Sequence, residues 1–305
     1  MIYRVRHRTT YSYEGAVSYA CCMLRLRPRD SAEQIVLTNA VTVSPDPSGT
    51  RVLAGPFGEA VLEATIETPH TKLVIEAVSS VDVNRRAPPQ LDTTLAWEEV
   101  RLAALRTADI SENGPAVFLF PTPRTPITPR ITDYARTSFA PGRPIAAAVA
   151  EFMRRIHADF TYDSEATTVS TPVAEAFDAR RGVCQDYSDI MVSGLRGLGL
   201  PAAYVSGYLR TIPPPGQDRL EGADATHAWV SVWCGPREGW IGFDPTNAIL
   251  AGDDHIELVA GRDQSDAAPI HGVMLGSGDQ SLAVEVDVVP DEAAAVYRPT
   301  FRALA

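Results

Sequence analysis

The stretch Arg180–Leu200, RRGVCQDYSDIMVSGLRGLGL, constrains the fold more than any other part of the chain. Tyr187, Ile190, Met191, Leu195 and Leu198 recur at three- and four-residue steps, which predicts a helix with one apolar face. Gly182 permits a sharp turn just before it, and Gly199 followed by Pro201 stops it. Cys184 falls where the loop becomes the helix. The first turn of a helix has unpaired N–H groups and the positive end of the dipole. A thiol there ionises more readily, and the same N–H groups can stabilise an oxyanion formed when the sulfur attacks a carbonyl. Taken alone, a free cysteine is equally a small buried hydrophobe, so the catalytic reading needs a base and a group to orient it.

Both are supplied further along. Thr226–Trp233 alternates as a strand, the run Gly235-Pro236-Arg237-Glu238-Gly239 turns, and Trp240–Phe243 returns as the second arm of a hairpin. His227 begins the first arm and Asp244 ends the second, so the two are expected to be cross-strand neighbours near one edge of the sheet. The carboxylate would accept from one ring nitrogen, and the other nitrogen would face the thiol. The Cys184 helix must pack its apolar face on this sheet, which brings its N-terminus to the imidazole. Each residue has a bland account: a polar strand end for the histidine, an Asp-Pro turn for the aspartate. Together they point to nucleophilic catalysis.

Composition narrows the class. The chain has 305 residues and is 45% hydrophobic, enough to build the core of one large or two ordinary soluble domains. With 38 acidic against 27 basic residues the net charge is −11, which argues against nucleic acid as a partner. No run is long enough to span a membrane, and the N-terminus carries no apolar signal segment, so a cytoplasmic location is expected. Cys21, Cys22, Cys184 and Cys234 form no CxxC pair and no zinc-ligand spacing.

Three regions follow from the pattern. Residues 1–85 alternate in short runs separated by Gly, Pro and Asp, which predicts an N-terminal β-sandwich. Arg4, Arg6 and Arg8 stripe one strand, as a solvated face or as a dock for an acidic partner. Residues 86–143 are a connecting segment with a short helix at Trp97–Arg106. Five prolines from Pro115 to Pro129 forbid long regular structure through Ala116–Arg130. Residues 144–305 are mixed. Helices are expected from Pro144 to near Phe160, from Pro172 with Thr171 as its cap, and at Cys184. Strands are expected at Ala202–Leu209 and in the hairpin, and in the tail near Ile256–Val259 and Leu282–Val289. A long polar loop at Thr211–Ala225 reads as a rim or lid. The fold class is therefore α+β: a β-sandwich domain, then helices packed on an antiparallel sheet.

The order Cys184, His227, Asp244 resembles the transglutaminase-like superfamily, which has a papain-like catalytic core. The matching blocks are Arg181-Gly182-Val183-Cys184-Gln185-Asp186-Tyr187, Tyr204-Val205-Ser206-Gly207-Tyr208, Thr226-His227-Ala228-Trp229-Val230 and Gly242-Phe243-Asp244-Pro245-Thr246-Asn247. The N-terminal run from Tyr3 to Tyr13 is similar to the β-rich N-terminal domain of the bacterial members, as are Val259–Asp263 and His271–Val273 in the tail. The resemblance implies Cys184 as nucleophile, His227 as general base and acid, and Asp244 as its orienter. It implies a thioester acyl-enzyme formed from a glutamine carboxamide or a peptide bond and resolved by water or an amine. The partner is then a protein or peptide, with a small amine as a further acceptor. No match to the calcium sites of the animal enzymes is found, so no metal and no cofactor are expected.

Four more residues are candidates for the substrate cleft, each with a packing alternative. Tyr162 borders the groove or fills the core. Gln185 lines the site or caps its helix. Tyr208 and Trp229 frame the cleft or pack. His7, His70, His157, His255 and His271 have no nucleophile motif beside them and read as structural or surface residues. Two rival functions remain open: an N-acyltransferase using an acyl thioester, as arylamine acetyltransferases do with a similar residue order, and a catalytically silent binding module.

Overall fold

Alternating apolar and polar side chains carry the first 83 residues into strands. In β1 (Ile2–Val17), Tyr3, Val5, His7 and Thr9 are buried, whereas Arg4 is exposed and Arg6 and Arg8 are half-buried. Arg6 and Arg8 reach Glu76 on a neighbouring strand, so the arginine stripe is at least partly a paired surface. The computed structural model of the protein describes residues 1–211 and 225–291. The polar loop expected at Thr211–Ala225 therefore lies almost wholly outside the described residues.

After β1 come β2 (Tyr19–Leu24), β3 (Gln34–Ser44), β4 (Gly49–Ala54), β5 (Ala60–Ile66) and β6 (His70–Val83). The proline-rich segment holds a short 3-10 turn at Pro115–Phe118 between α1 (Trp97–Arg106) and α2 (Pro129–Arg136). Then follow α3 (Ile145–Asp159), β7 (Thr161–Tyr162), α4 (Val173–Ala179), β8 (Arg181–Gly182) and α5 (Cys184–Gly197). The chain continues through β9 (Ala202–Leu209), β10 (Ala225–Trp233), β11 (Trp240–Asp244), β12 (Ile249–Leu250) and β13 (His255–Gly261). It ends in α6 (Gln264–Ala267), β14 (Ile270–Leu275) and β15 (Gln280–Pro290). Pro144 and Pro172 sit at the N-caps of α3 and α4 and not at their first helical positions, so each helix begins one place later than the sequence suggests.

Two four-stranded sheets, in the orders β15-β1-β6-β3 and β14-β2-β5-β4, face each other across Val17, Ala20, Cys22, Leu24, Ile66, Leu73 and Ile75. This is the expected sandwich, with one correction. The tail strands β14 and β15 complete its two sheets instead of extending the 144–305 core: Val288 pairs with Val5, and Gly272 with Cys22. Without the returning tail, β1 and β2 would each expose a row of unpaired backbone groups.

The second body is a five-stranded antiparallel sheet, β12-β11-β10-β9-β13, with α3 and α5 packed on it. Ile190, Met191, Val192 and Leu195 of α5 are fully buried against Val230 and Val232 of β10 and Tyr204 of β9. Each such aliphatic side chain contributes about 1.5–3 kcal/mol by leaving water. Tyr3, Val5, Val286 and Val288 of the sandwich belong to the same apolar cluster, so the two bodies share one core. The proline-rich segment is bound to this core by Arg196. Its buried guanidinium donates to the carbonyls of Phe118, Ala202 and Arg262 and to Thr125 Oγ1. Among the described residues, no helix is long and apolar enough to cross a membrane.

Candidate active site

Local chemistry fixes where α5 begins. Arg180 ends α4 in the left-handed region, with φ 53°. Its guanidinium lies over the rings of Phe177, Phe160 and Tyr134 at 4.2, 4.7 and 4.8 Å, a cation–π cluster that anchors the turn. Gly182 follows. A Cβ there would stand 2.4 Å from Asp186 Oδ2, so only glycine leaves room for that carboxylate. Asp186 caps the helix start, accepting from the Val183 N–H at 2.8 Å and from Thr167 Oγ1 at 2.6 Å. Cys184 opens α5 as a free, half-buried thiol packed against the main core.

Asp244 is placed by its own turn. Its Oδ1 accepts from the N–H groups of Thr246 and Asn247 at 2.9 and 3.2 Å, and its Oδ2 accepts from Asn247 Nδ2 at 2.7 Å. His227 Nε2 lies 2.8 Å from the same Oδ2. The two residues are not directly opposite. The β10–β11 ladder ends at the pair Val230–Phe243, and the contact is a diagonal one just beyond it. Because Nε2 is occupied, Nδ1 is the nitrogen left for the sulfur. Burial alone would push His227 down. Hydrogen bonds to Asp244 and Cys184, with their charges, outweigh it and raise the imidazole to about 10. Burial would likewise raise Asp244, but hydrogen bonds from His227 and His255 hold it well below the usual carboxylate range. With His227 raised and Asp244 lowered, the pair is held as an imidazolium beside a carboxylate.

Two residues of this site are given no role by the sequence. Asn247 closes the Gly242–Asn247 block without an assigned part. His255 lies outside every block: its Nε2 is 3.2 Å from Asp244 Oδ2. The nearest signal in the sequence is only that His255 opens a strand after the Asp244 turn. His227, Asp244 and His255 bring three potential ligand atoms within 4.8 Å of one another, a grouping a divalent cation uses. Their chemistry does not fit a metal. The Gly252 N–H donates to His255 Nδ1 at 3.2 Å, so the ring proton sits on Nε2 and that nitrogen has no lone pair to offer.

The weaker candidates divide. Tyr162 pairs with Gly182 in a two-residue parallel ladder, 57% exposed and close enough for the charge of Cys184 to add to the upward effect of burial on its phenol. Gln185 donates to the Val169 carbonyl at 3.5 Å beside the nucleophile. Tyr208 is buried in the main core, with its hydroxyl 3.0 Å from His7 Nδ1 of the sandwich, so it does not frame the cleft. Trp229 is buried in a separate small cluster with Phe57, Phe118 and Val205. It touches the site from behind, its indole near-parallel to His227 at 6.2 Å and edge-on to His255 at 5.2 Å. Cys234 is buried, and burial pushes its thiol far above the usual range, in keeping with a packed cysteine.

A helix-opening thiol, an imidazole and a carboxylate on neighbouring strands, and a sandwich closed by the chain's own tail can be set beside known proteins. Residues 3–82 match the bacterial transglutaminase-like N-terminal region, and residues 132–245 match the transglutaminase-like superfamily. An uncharacterized protein of Mycobacterium tuberculosis is 39% identical over 303 residues, covering 97% of this chain and 95% of its own. One from Mycobacterium leprae is 30% identical over 290 residues, covering 93% and 97%. The crystal structure of a candidate cysteine protease from Cytophaga hutchinsonii overlays with a TM-score of 0.73 at 19% identity, covering 99% of this chain and 94% of that one. That overlay spans the sandwich as well as the core, so the two-body architecture is common to both. With matches that run from β1 to the Asp244 turn and relatives that align along nearly their whole length, the chain belongs to the transglutaminase-like superfamily.

Proposed function

We propose that the protein is a cysteine-dependent acyl-transfer enzyme acting on amide groups of a protein or peptide. The observation that carries this is the division of one imidazole between two partners: Asp244 holds Nε2 of His227, and Nδ1 is left to Cys184. In the first step the Cys184 sulfur attacks the carbonyl carbon of a carboxamide or peptide bond. The N–H groups of the first turn of α5 stabilise the oxyanion. His227 gives its proton to the departing nitrogen, the C–N bond breaks, and ammonia or an amine leaves. A thioester to Cys184 remains. Water or a primary amine then attacks that thioester, His227 takes the proton, and the sulfur departs. Asp244 keeps the ring in one tautomer throughout. Tyr162 and Gln185, which lie beside the nucleophile, are proposed to border the acyl group.

The test is a panel of glutamine-containing peptides incubated with and without a primary amine. Ammonia release and amine incorporation are read together, and intact mass is used to look for an acyl adduct on Cys184. Ammonia without incorporation identifies hydrolysis, and incorporation identifies transfer. No turnover across the panel, with acetylation of Cys184 by acetyl-CoA, would replace this reading with the N-acyltransferase.

A further inference from the structure

His255 makes three contacts that belong together. Its Nδ1 accepts from the Gly252 N–H, its Nε2 donates to Asp244 Oδ2, and its backbone carbonyl accepts from Arg85 Nη2 at 3.0 Å. It shares Asp244 with His227, yet the two imidazoles are driven in opposite directions. His227 is raised, whereas for His255 the lowering by burial outweighs the raising by Asp244, and the charges of His227 and Arg85 add to the fall. One buried carboxylate supports one imidazolium, so the second ring stays neutral and serves as a hydrogen-bond donor.

The segment that carries His255 is held from outside the core. Arg85, just after β6, donates from Nε to the Gly252 carbonyl and from its backbone N–H to Asp253 Oδ1, each at 3.0 Å. Tyr3 Oη donates to Asp254 Oδ1 at 2.8 Å. Gln34 exchanges two 2.9 Å hydrogen bonds with the backbone of Glu257. Three elements of the sandwich therefore grip Gly252–Glu257 on both sides of His255.

We propose that His255 is a positioning residue of the candidate site, a neutral Nε2–H donor that fixes the Asp244 carboxylate, and that the sandwich acts through it by setting where its segment lies. This rests on the catalytic reading of Cys184, His227 and Asp244. The sandwich is then a support for the site and not only a neighbour of it. The groups facing His255 are Asp244 from β11, His227 and the indole of Trp229 from β10, and Arg85 from the sandwich; Asp253 and Asp254 on its own segment are engaged by Arg85 and Tyr3.

Two measurements test it. Nitrogen-15 NMR of the wild-type histidine rings at neutral pH should show His255 as the neutral Nε2–H tautomer; a proton on Nδ1, or an imidazolium, would overturn the proposal. This measurement needs no variant and judges His255 even if Cys184 proves inert, a result that defeats the catalytic reading alone. For turnover, His255→Leu removes the donor and His255→Gln keeps one near the Nε2 position. His255→Leu should lower kcat by about 10–100-fold, the range found for partners that orient ligand histidines at metal sites, with KM little changed. The acid limb of kcat should move to higher pH, because Asp244 with one donor fewer holds the proton of His227 more tightly, and His227 must be neutral to resolve the thioester. His255→Gln should restore both. A His255→Leu enzyme with wild-type kcat and an unmoved acid limb would overturn the proposal, as would a loss that His255→Gln fails to repair.

Discussion

The phenol of Tyr208, on the central strand β9, meets Nδ1 of His7, on β1 of the sandwich, at 3.0 Å, and the other ring nitrogen of His7 lies 2.8 Å from Thr9 Oγ1. The junction between the two bodies therefore carries a polar contact beside the apolar cluster they share. Burial lowers His7 to about 4, so the ring is neutral at its partners. Tyr208→Phe should cost about 1 kcal/mol of stability, the worth of one buried hydrogen bond, and should leave kcat unchanged. A large loss of kcat at wild-type stability would return Tyr208 to the cleft.

His7 also sets a pH dependence with a definite sign. Its folded value lies below the unfolded value of about 6.5, so the unfolded state binds the extra proton between them. The contribution is fully present above about 6.5 and is lost as pH falls toward about 4. Thermal melts of wild type and His7→Gln over that window should converge as the pH is lowered, because the glutamine variant lacks this proton. Parallel curves would contradict the assignment.

Asp189 has the opposite sign. It is buried in α5, with Arg124 Nη2 at 3.6 Å from Oδ2 and, among the described residues, with Oδ1 unpartnered. Burial raises its carboxyl to about 8 despite Arg124. The folded state keeps a proton that the unfolded state has lost above about 3.9, so stability falls as pH rises from about 4 to about 8. Asp189→Asn should remove that slope, and its melting temperature should gain on wild type steadily across the window. A constant difference would show that Asp189 ionises as an ordinary carboxylate.

Much of the site is legible in the sequence, for reasons that particular residues explain. The bounds of α5 follow from Gly182, Gly199 and the apolar spacing, and a tight hairpin of short arms leaves few ways to place His227 and Asp244 apart. What escapes is non-local. Alternation in β14 and β15 shows that they are strands but not which sheet edge they close, so the tail reads as part of the core although it completes the sandwich. The same period leaves the face of Trp229 and Tyr208 open. His255 is invisible for a third reason: its contact with Asp244 is imposed by Arg85, Tyr3 and Gln34, which lie 170 to 252 positions earlier for the first two and share no motif with it.

Gly207 lies opposite His227 in the β9–β10 ladder. A Cβ on it would stand 2.1 Å from the Ile256 carbonyl oxygen and 2.6 Å from Trp229 Cη2. Gly207→Ala should therefore cost about 1–3 kcal/mol by overpacking, and the displaced indole should change the tryptophan fluorescence. An alanine variant with wild-type stability and spectrum would mean that Trp229 is not wedged behind the imidazoles.

Asp244→Asn tests the tautomer. An asparagine amide facing Nε2 would donate where the carboxylate accepts, which leaves the ring proton on the nitrogen facing the sulfur. The kcat should fall on the order of 10⁴-fold, as it does when the aspartate of a serine triad is so replaced, with the circular dichroism of the folded protein retained. A loss of less than tenfold would remove Asp244 from the mechanism.

The central claim is that Cys184 is an activated nucleophile, and the chain contains its own control. Cys21 and Cys184 are both half-buried free thiols, but only Cys184 opens a helix beside an imidazolium. Wild-type protein should be exposed to limiting iodoacetamide at pH 6 to 7 and the modified cysteine identified by peptide mass. The account predicts that Cys184 is alkylated well before Cys21, and that His227→Ala abolishes the difference. Equal rates at the two thiols, or amide turnover that survives in Cys184→Ala, would contradict it.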